Sequence, residues 1–190
     1  MILASTSPRR RELLARLGVP FEVASPKFEE VIDPLASPET QAEQFALGKA
    51  RSIVATDAVV LGSDTLVVVD RTILGKPTDA ADARRMLRLL CGRSHRVITA
   101  VAVVAPGQPD HVFLDEAVVR MRPADDTEIA AYVSTGEPMD KAGAYAAQGA
   151  GARFIESITG DETTVIGLPL RRLTEVLRKV GIRIPAEAPV

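Results

Sequence analysis

Runs of β-branched and aliphatic residues alternate with helical stretches along this chain, and this alternation limits the folds that it can adopt. Strands are expected at residues 2–4, 21–24, 58–61, 66–69, 97–104, 112–121 and 154–158. Helices are expected at about 8–17, 38–55, 79–90, 125–133 and 168–180. A turn at 106–109 joins two of the strands into a hairpin. An interleaved order with one hairpin predicts an α/β fold with a mixed β-sheet and flanking helices.

The composition excludes several classes of protein. A single cysteine, Cys91, rules out an intramolecular disulfide framework and a Cys-based zinc cluster. A formal net charge of −2 and 4% aromatic residues argue against a protein dedicated to nucleic-acid binding. The longest nearly apolar stretch, 97–105, is far shorter than the roughly 20 residues that span a bilayer. We therefore expect neither a nucleic-acid nor a membrane partner, and a cytoplasmic location.

The chain has the length of one domain. Its 190 residues contain no internal repeat, no low-complexity linker and no sharp shift in composition. Residues 1–184 are therefore expected to form a single domain, and residues 185–190 a flexible tail.

The first candidate site is the turn STSPRR, residues 5–10, between the first strand and the first helix. Ser7 is placed to cap that helix, and Pro8 to occupy its first position. The free N–H groups of a helix start, together with Arg9 and Arg10, suit a phosphate group. An ordinary cap beside a solvated basic turn would show the same residues, so both interpretations are open at this point.

Lys49 and Asp64 are charged residues in apolar surroundings. Lys49 lies on the apolar stripe of its helix, where it either extends its ammonium group to the edge of the core or binds an anion. Asp64 lies in the polar run GSDT, 62–65, between two apolar strand segments. A carboxylate there binds a divalent metal, orients a water molecule, or belongs to a turn that needs small polar residues.

Further polar residues lie in loops. Glu29 and Glu30 are paired acids that solvation explains, unless the fold returns their loop to Asp64. Lys76 is held in the turn LGKP by a neighbouring glycine and proline. Gln148 lies in a loop rich in glycine and alanine, where its amide either reads the edge of a nucleobase or fixes the loop.

The usual markers of nucleotide binding and of nucleophilic catalysis are missing from the sequence. It contains neither a P-loop nor a dinucleotide-binding fingerprint. His95 and His111 are isolated, without a metal or triad pattern, so we interpret each as an ordinary strand residue.

Six sequence blocks occur in an order that one known family shows. They are LASTSPRRRELL, LGSDTLVVVD, LGKP, CGRSHRVITAV, EPMDKAGAYAAQG and VIGLPL, and they extend from about residue 2 to about residue 182. Together they resemble the blocks of the Maf-type nucleoside triphosphate pyrophosphatases, the family of Maf-like or septum formation proteins. The resemblance implies hydrolysis of a nucleoside triphosphate substrate to the monophosphate and pyrophosphate, with a divalent cation, Mg²⁺ or Mn²⁺, as cofactor.

The resemblance also implies an architecture. The family has a long twisted mixed β-sheet and two lobes around a cleft, similar to the inosine triphosphate pyrophosphatases. Dimers are common in the family, so a homodimer is one expectation for this chain.

The resemblance assigns roles to individual residues. Asp64 matches the catalytic proton acceptor, which is also a metal partner. Glu30 matches the second, acidic metal-binding position, with Glu29 as the alternative. The positions linked to base selection fall on Arg9, Thr65 and Gln148. The positions linked to phosphate binding fall on Ser7, Arg10, Lys49 and Lys76.

The blocks also bear on the preferred base. S-P-R-R resembles the branch of the family that acts on dTTP and UTP, whereas Ala146-Ala147 departs from the Gly-Ile usual in that branch. The run TGDETTVIGLPL has features of the branch that prefers 7-methyl-GTP. The expected function is therefore a dTTP and UTP pyrophosphatase that also accepts modified pyrimidine nucleotides. The alternatives are a 7-methyl-GTP pyrophosphatase and a nucleotide-binding regulator of cell division that does not turn its ligand over.

Overall fold

The computed structural model describes residues 1–186, and every helix and strand named below belongs to that part of the chain. The strands are β1 (Ile2–Ala4), β2 (Glu22–Ala24), β3 (Val60–Val69), β4 (Thr72–Leu74), β5 (Ser94–Val104), β6 (His111–Met121) and β7 (Ile155–Thr159). The α-helices are α1 (Pro8–Ala15), α2 (Pro38–Arg51), α3 (Ala80–Leu90), α4 (Asp126–Ser134), α5 (Glu162–Ile166) and α6 (Leu170–Lys179). Short 3-10 helices lie at Glu137–Asp140, Ala142–Ala144 and Gly149–Phe154. Of the tail predicted at 185–190, residues 187–190 lie outside the described residues.

The seven strands of the described chain form one sheet. Their order is β2-β1-β3-β5-β6-β7, and β4 pairs with β3 outside this path. Strand β1 is parallel to both β2 and β3, with Ala4 opposite Gly62 in the register between β1 and β3. The β3–β4 and β6–β7 pairs are antiparallel. The predicted α/β fold with a mixed sheet and flanking helices is therefore confirmed.

The chain divides into two compact units. The first unit comprises Met1–Asp64, Thr99–Asp115 and the described residues from Gly167 onward. The second unit comprises Thr65–Ile98 and Glu116–Ile166. Helices α3 and α4, strands β3 to β6 and Phe154 contribute to a large apolar core of the second unit. In this core the rings of Tyr132 and Phe154 meet edge to face at 5.2 Å.

The first two helices begin as the sequence predicts. Ser7 caps α1 by accepting from the N–H of Arg10 at 3.4 Å, and Ser37 caps α2 by accepting from the N–H of Thr40 at 3.2 Å. A proline follows each cap, where a missing N–H costs no hydrogen bond. Helix α2 ends at Arg51, earlier than expected, and the Ser52 hydroxyl that follows it donates to the carbonyl of Lys49 at 2.7 Å. In the described part of the chain, none of the helices combines the length and the apolar character that a membrane crossing requires.

The expected interruption at residues 62–65 was wrong, because β3 runs through it without a break. Gly62 lies against α2, where a side chain would overlap the carbonyl oxygen of Ala46 and lie 2.7 Å from the amide nitrogen of Ala50. Gly62 is thus a point of close packing between strand and helix. Ser63 is fully buried and donates its hydroxyl to the carbonyl of Gly167 at 3.0 Å. Because these positions meet protein partners, a polar run can continue as a buried strand.

The prediction also missed two short elements. The turn from β3 to β4 is made by Asp70 and Arg71, which both have positive φ, and neither residue is the glycine that usually marks such a turn. Helix α5 contains Thr163, Thr164 and two β-branched aliphatic residues, a composition that favours a strand. Its start is fixed locally, since Asp161 accepts from the backbone N–H of Thr163 at 2.8 Å.

Candidate active site

The charged centre of the first unit is formed by Lys49 and two carboxylates. The Lys49 ammonium lies 2.6 Å from Asp64 Oδ1 and 2.6 Å from Glu30 Oε1. The side chains of Lys49 and Asp64 are 10% and 7% exposed, whereas that of Glu30 is 50% exposed. The loop that carries Glu30 therefore does return to Asp64, and the position that meets Lys49 is Glu30. Lys49 does not simply reach the edge of the core, since its charge is paired within it.

The loop before α2 is held in place by an aromatic contact. Phe28 packs edge to face on Phe45 of α2, with ring centroids 6.0 Å apart. The Phe28 ring occupies the space where a side chain at Gly48 would lie. A Cβ atom added at Gly48 would be 2.5 Å from Cζ of Phe28. A glycine one residue before Lys49 therefore lets Phe28 dock on the helix, and Glu30 follows two residues after that anchor.

The start of α1 contributes a second group of donors and cations. Arg10 donates its Nε–H to the carbonyl of Gly167 at 3.0 Å, the same oxygen that accepts from Ser63. Burial lowers the pKa of the Arg10 guanidinium, while the carboxylates of Asp64 and Glu30 act in the opposite direction. Arg10 thus interacts electrostatically with both carboxylates. Arg9, half-buried beside it, adds positive charge at the helix start, where free N–H groups already favour anions.

Lys76 of the second unit lies in a turn that is tied to a distant loop. The carbonyl of the preceding residue, Gly75, accepts from the N–H of Gly143 at 3.0 Å. Gly143 has a φ of +68°, and a side chain there would lie 2.9 Å from Val67 Cγ1 on β3. Lys76 itself is exposed, so its ammonium is available to a ligand while its backbone is fixed.

Thr65 and Gln148 also belong to the second unit, and both are half-buried. Thr65 follows Asp64 directly on β3. Gln148 precedes the 3-10 helix Gly149–Phe154 and follows Tyr145, whose hydroxyl lies 2.6 Å from Nε2 of His95. The loop around Gln148 is therefore anchored in the core.

A divalent cation fits the acidic pair of the first unit. Asp64 Oδ2 is buried and has no hydrogen-bond partner among the described residues. Asp64 and Glu30 together offer the hard oxygen donors that Mg²⁺ and Mn²⁺ prefer. Within residues 1–186, no group of three or more His, Cys, Asp or Glu side chains could hold a metal. Two carboxylates suffice where water and phosphate oxygens complete the coordination, which is the usual arrangement for Mg²⁺.

Comparison with known proteins identifies the family. The family model described as Maf-like protein matches residues 1–180. The chain belongs to the Maf family. The resemblance that the six sequence blocks indicated is thereby confirmed over nearly the whole chain.

Several similar Maf relatives carry one name. A protein of Symbiobacterium thermophilum named dTTP/UTP pyrophosphatase is 50% identical over 186 residues, which cover 97% of this chain and 95% of the relative. A protein of the same name from Moorella thermoacetica is 49% identical and covers 97% of this chain and 96% of the relative. Another from Aquifex aeolicus is 46% identical and covers 96% of this chain and 96% of the relative.

Solved structures offer a more distant likeness. The Ham1 protein of Staphylococcus aureus is 15% identical, with a TM-score of 0.49 and coverage of 81% of this chain and 78% of that one. A dITP/XTP pyrophosphatase of Mycobacterium abscessus is 16% identical, with a TM-score of 0.43 and coverage of 93% and 92%. Likeness at this level says nothing about the chemistry of the Maf chain.

The predicted site residues of this Maf chain fall into two groups. The first unit contains Ser7, Arg9, Arg10, Glu30, Lys49 and Asp64. In that group Lys49 is in direct contact with both Glu30 and Asp64. The second unit contains Thr65, Lys76 and Gln148, which lie on three separate segments: β3, the turn after β4 and the loop before the 3-10 helix Gly149–Phe154.

Residues that support the site were missed by sequence reasoning. Gly48 and Gly62 permit close packing on α2, and Ser63 joins Arg10 on one carbonyl oxygen. Glu137 holds the loop after Gln148 through backbone hydrogen bonds. One signal was present: a glycine next to Lys49 in a helix interior is unfavourable, which indicates a packing role.

Proposed function

We propose that this chain hydrolyses nucleoside triphosphates, dTTP and UTP foremost, to the monophosphate and pyrophosphate, with a divalent cation as cofactor. The observation that carries the proposal is the buried Asp64, whose Oδ1 is paired with Lys49 and whose Oδ2 is left unpaired among the described residues. Membership of the Maf family and relatives named dTTP/UTP pyrophosphatase support the same reaction.

Asp64 is the proposed proton acceptor. Lys49 pairs with Oδ1, so Oδ2 is the oxygen of Asp64 that remains for a new partner, and the carboxylate as a whole can act as a base toward an attacking water molecule. As the water oxygen bonds to the α-phosphorus, its proton passes to the Asp64 carboxylate and the bond from the α-phosphorus to the bridging oxygen breaks. Pyrophosphate then leaves with the electron pair of that bond.

The phosphate groups are proposed to bind at the start of α1 and at the neighbouring cations. Ser7 and the free N–H groups of α1 suit a phosphate oxygen, and Arg10 and Lys49 supply positive charge beside Asp64. Lys76 is proposed as a further phosphate-binding residue. Burial of Lys49 strengthens its interaction with an anion, because water screens it less.

Asp64 and Glu30 are the residues that would hold the Mg²⁺ or Mn²⁺ cofactor. When bound, such a cation neutralises phosphate charge and polarises the phosphoryl oxygens. Glu30 is half-exposed and lies on a loop, so it can adjust its position as ligands bind, whereas Asp64 is fixed on a central strand.

Base selection is proposed to fall to Arg9, Thr65 and Gln148. A glutamine amide carries both a donor and an acceptor, which matches the alternating groups on the edge of a uracil or thymine ring. The relatives named dTTP/UTP pyrophosphatase favour this preference over 7-methyl-GTP.

We further propose that the chain acts in the cytoplasm, without nucleic-acid partners, and as a homodimer. A chain with one cysteine has no internal disulfide to stabilise it, which suits a compartment that keeps thiols reduced. The homodimer is proposed from its frequency in the Maf family.

Pyrophosphate release from a nucleotide panel tests the function. Each of the nucleotides UTP, dTTP, 5-methyl-UTP and 7-methyl-GTP is incubated with Mg²⁺ or Mn²⁺. The protein added is the parent or one of two variants, Asp64→Asn and Asp110→Asn. Asp110 pairs with Arg51 in the same unit and serves as the matched control. We expect turnover of dTTP and UTP by the parent and by Asp110→Asn, and a loss of at least about 100-fold in Asp64→Asn.

Other outcomes would redirect the proposal. Full activity in Asp64→Asn would remove Asp64 from its role. Tight nucleotide binding without product after long incubation would identify a regulator instead of an enzyme. A higher kcat/KM for 7-methyl-GTP than for dTTP would place the chain in the other branch of the family.

A further inference from the structure

The loop that carries Gln148 is held after that residue by a carboxylate. Glu137 accepts from the N–H of Ala150 through Oε2 at 3.1 Å, and from the N–H of Gly151 through Oε1 at 3.0 Å. The Tyr132 hydroxyl donates to the same Oε1 at 3.1 Å. Hydrogen bonds to a charged acceptor are about twice as strong as neutral ones, so this carboxylate is a firm anchor.

The electrostatics of Glu137 agree with this geometry. Burial, the largest single effect, would raise the pKa of its carboxyl group. The backbone N–H groups of Gly151 and Ala150, the Tyr132 hydroxyl and the charge of Lys141 together outweigh burial and hold the pKa below its ordinary value. Glu137 is therefore charged at neutral pH. Gly149 passes close to it, with a φ of +77°, and a side chain at Gly149 would lie 3.1 Å from both carboxylate oxygens.

The same loop is held before Gln148 by an aromatic pair. The Tyr145 hydroxyl and Nε2 of His95 share a hydrogen bond of 2.6 Å, and the two rings meet edge to face at 5.3 Å. The residues are 5% and 3% exposed, so the bond is shielded from water. Since His95 belongs to β5 and Tyr145 to the loop, the pair ties the loop to the sheet.

The anchors on both sides of Gln148 matter because a glutamine amide can pair with more than one base. It presents a donor and an acceptor, and a half-turn of the amide exchanges them. One orientation complements uracil or thymine, whose N3–H lies between two carbonyl groups. The other complements cytosine, which has an acceptor at N3 and an amino donor at C4. A Gln148 on a mobile backbone could reach either base from several positions. A fixed backbone does not itself stop the half-turn of the amide, but it confines the amide to one position beside the base, which is a condition for selection between them.

We propose that Glu137 and Tyr145 are positioning residues that hold Gln148 so that it selects diketo pyrimidines over cytosine. This inference rests on the proposed function, because it assigns the base contact to Gln148. Neither residue touches the reacting atoms in this scheme. Their substitution therefore changes the choice of base rather than the chemical step that Asp64 performs.

The experiment compares Glu137→Gln and Tyr145→Phe with the parent protein and with Glu156→Gln. Glu156 is an exposed partner of Arg120 in the same unit, and it controls for loss of a carboxylate. Two readouts are taken: kcat and KM for dTTP and dCTP, and hydrogen exchange of the backbone amides at positions 145–151. Thermal unfolding shows whether each variant is folded at the assay temperature.

We expect Glu137→Gln to lower the ratio of kcat/KM for dTTP to that for dCTP by about tenfold. The change should lie mainly in KM for dTTP, with kcat nearly unchanged. The amides of Ala150 and Gly151 should exchange about tenfold faster in that variant. Tyr145→Phe should loosen the loop before Gln148 with a similar loss of selection, and Glu156→Gln should match the parent in both readouts.

Two results would overturn the positioning role. One is unchanged exchange of Ala150 and Gly151 in Glu137→Gln, and the other is full base selection despite faster exchange. A parent protein that releases pyrophosphate from no nucleotide would instead overturn the proposed function and the selective role with it. Even then, the exchange measurement would decide whether Glu137 anchors the loop.

Discussion

The Lys49 ammonium and the Asp64 carboxylate form an ion pair of 2.6 Å in which neither side chain is more than a tenth exposed. A buried pair of this kind costs desolvation energy on both sides, so it is weak evidence for stability alone. It does fix which oxygen of Asp64 is engaged, and Oδ2 is thereby left for other chemistry. The pair therefore agrees with the catalytic role proposed for Asp64.

Replacement of Lys49 by methionine should be costly in both stability and activity. It leaves Asp64 charged and buried without its partner, for which we expect a loss of about 3–5 kcal/mol in the free energy of unfolding. Pyrophosphate release should fall at least about tenfold, since a cation for the phosphates is lost. Arg51→Met is the control on the same helix, because the Arg51 side chain is 64% exposed in its pair with Asp110. That control should cost less than about 1 kcal/mol in urea unfolding, and equal costs would contradict the argument.

A side chain at Gly62 should separate β3 from α2. The added Cβ would overlap a backbone carbonyl of the helix, and backbone atoms cannot swing aside as a side chain can. We expect Gly62→Ala to destabilise the protein by about 3 kcal/mol, at the upper end of the range for overpacking. Gly75→Ala is the matched control, because nothing lies within 4 Å of its added Cβ. Its midpoint of thermal unfolding should stay close to that of the parent, and an equal loss in both variants would refute the packing role of Gly62.

The contact between Gly48 and Phe28 can be tested by a double-mutant cycle. An alanine in a helix interior is favoured over glycine by about 1 kcal/mol. In Gly48→Ala this gain should be cancelled, because the new side chain displaces the Phe28 ring. In a Phe28→Ala background the same substitution should become stabilising by about 1 kcal/mol.

Activity measurements complete that cycle. Displacement of Phe28 frees the loop that carries Glu30, so Gly48→Ala should need a higher concentration of Mg²⁺ for half-maximal turnover. Additive stabilities around the cycle, together with an unchanged Mg²⁺ requirement, would show that the aromatic contact does not position Glu30.

Local signals in the sequence predicted the helix starts and the class of fold. Ser7-Pro8 and Ser37-Pro38 form caps with their own neighbours, so no distant contact is needed to recognise them. The charge of Lys49 on an apolar stripe was equally visible, but its partners were not. Glu30 and Asp64 reach Lys49 only after the chain folds back on itself.

The errors have the same origin. The run at residues 62–65 has the composition of a turn, and only its distant partners explain why it is a buried strand. Gly167 supplies the carbonyl that satisfies Ser63, although more than a hundred residues separate them in the sequence. His95 does lie in a strand, as predicted, but its bond to Tyr145, fifty residues away, could not be recognised from the sequence.

His95 should make the stability of the protein depend on pH. Burial lowers its pKa from 6.5 to about 4, so the folded protein keeps it neutral while the unfolded chain binds a proton below about pH 6.5. Stability is therefore complete above that pH and is lost as the pH falls toward 4. The share from His95 should reach about 2–3 kcal/mol at pH 4.5. Denaturant unfolding of the parent and of His95→Gln is measured at pH 7.5 and 4.5. The loss of stability between the two pH values is then compared for the two proteins. The contribution of the carboxylates cancels in this comparison, because both proteins contain them. The same pH dependence in His95→Gln as in the parent would show that His95 is not its source.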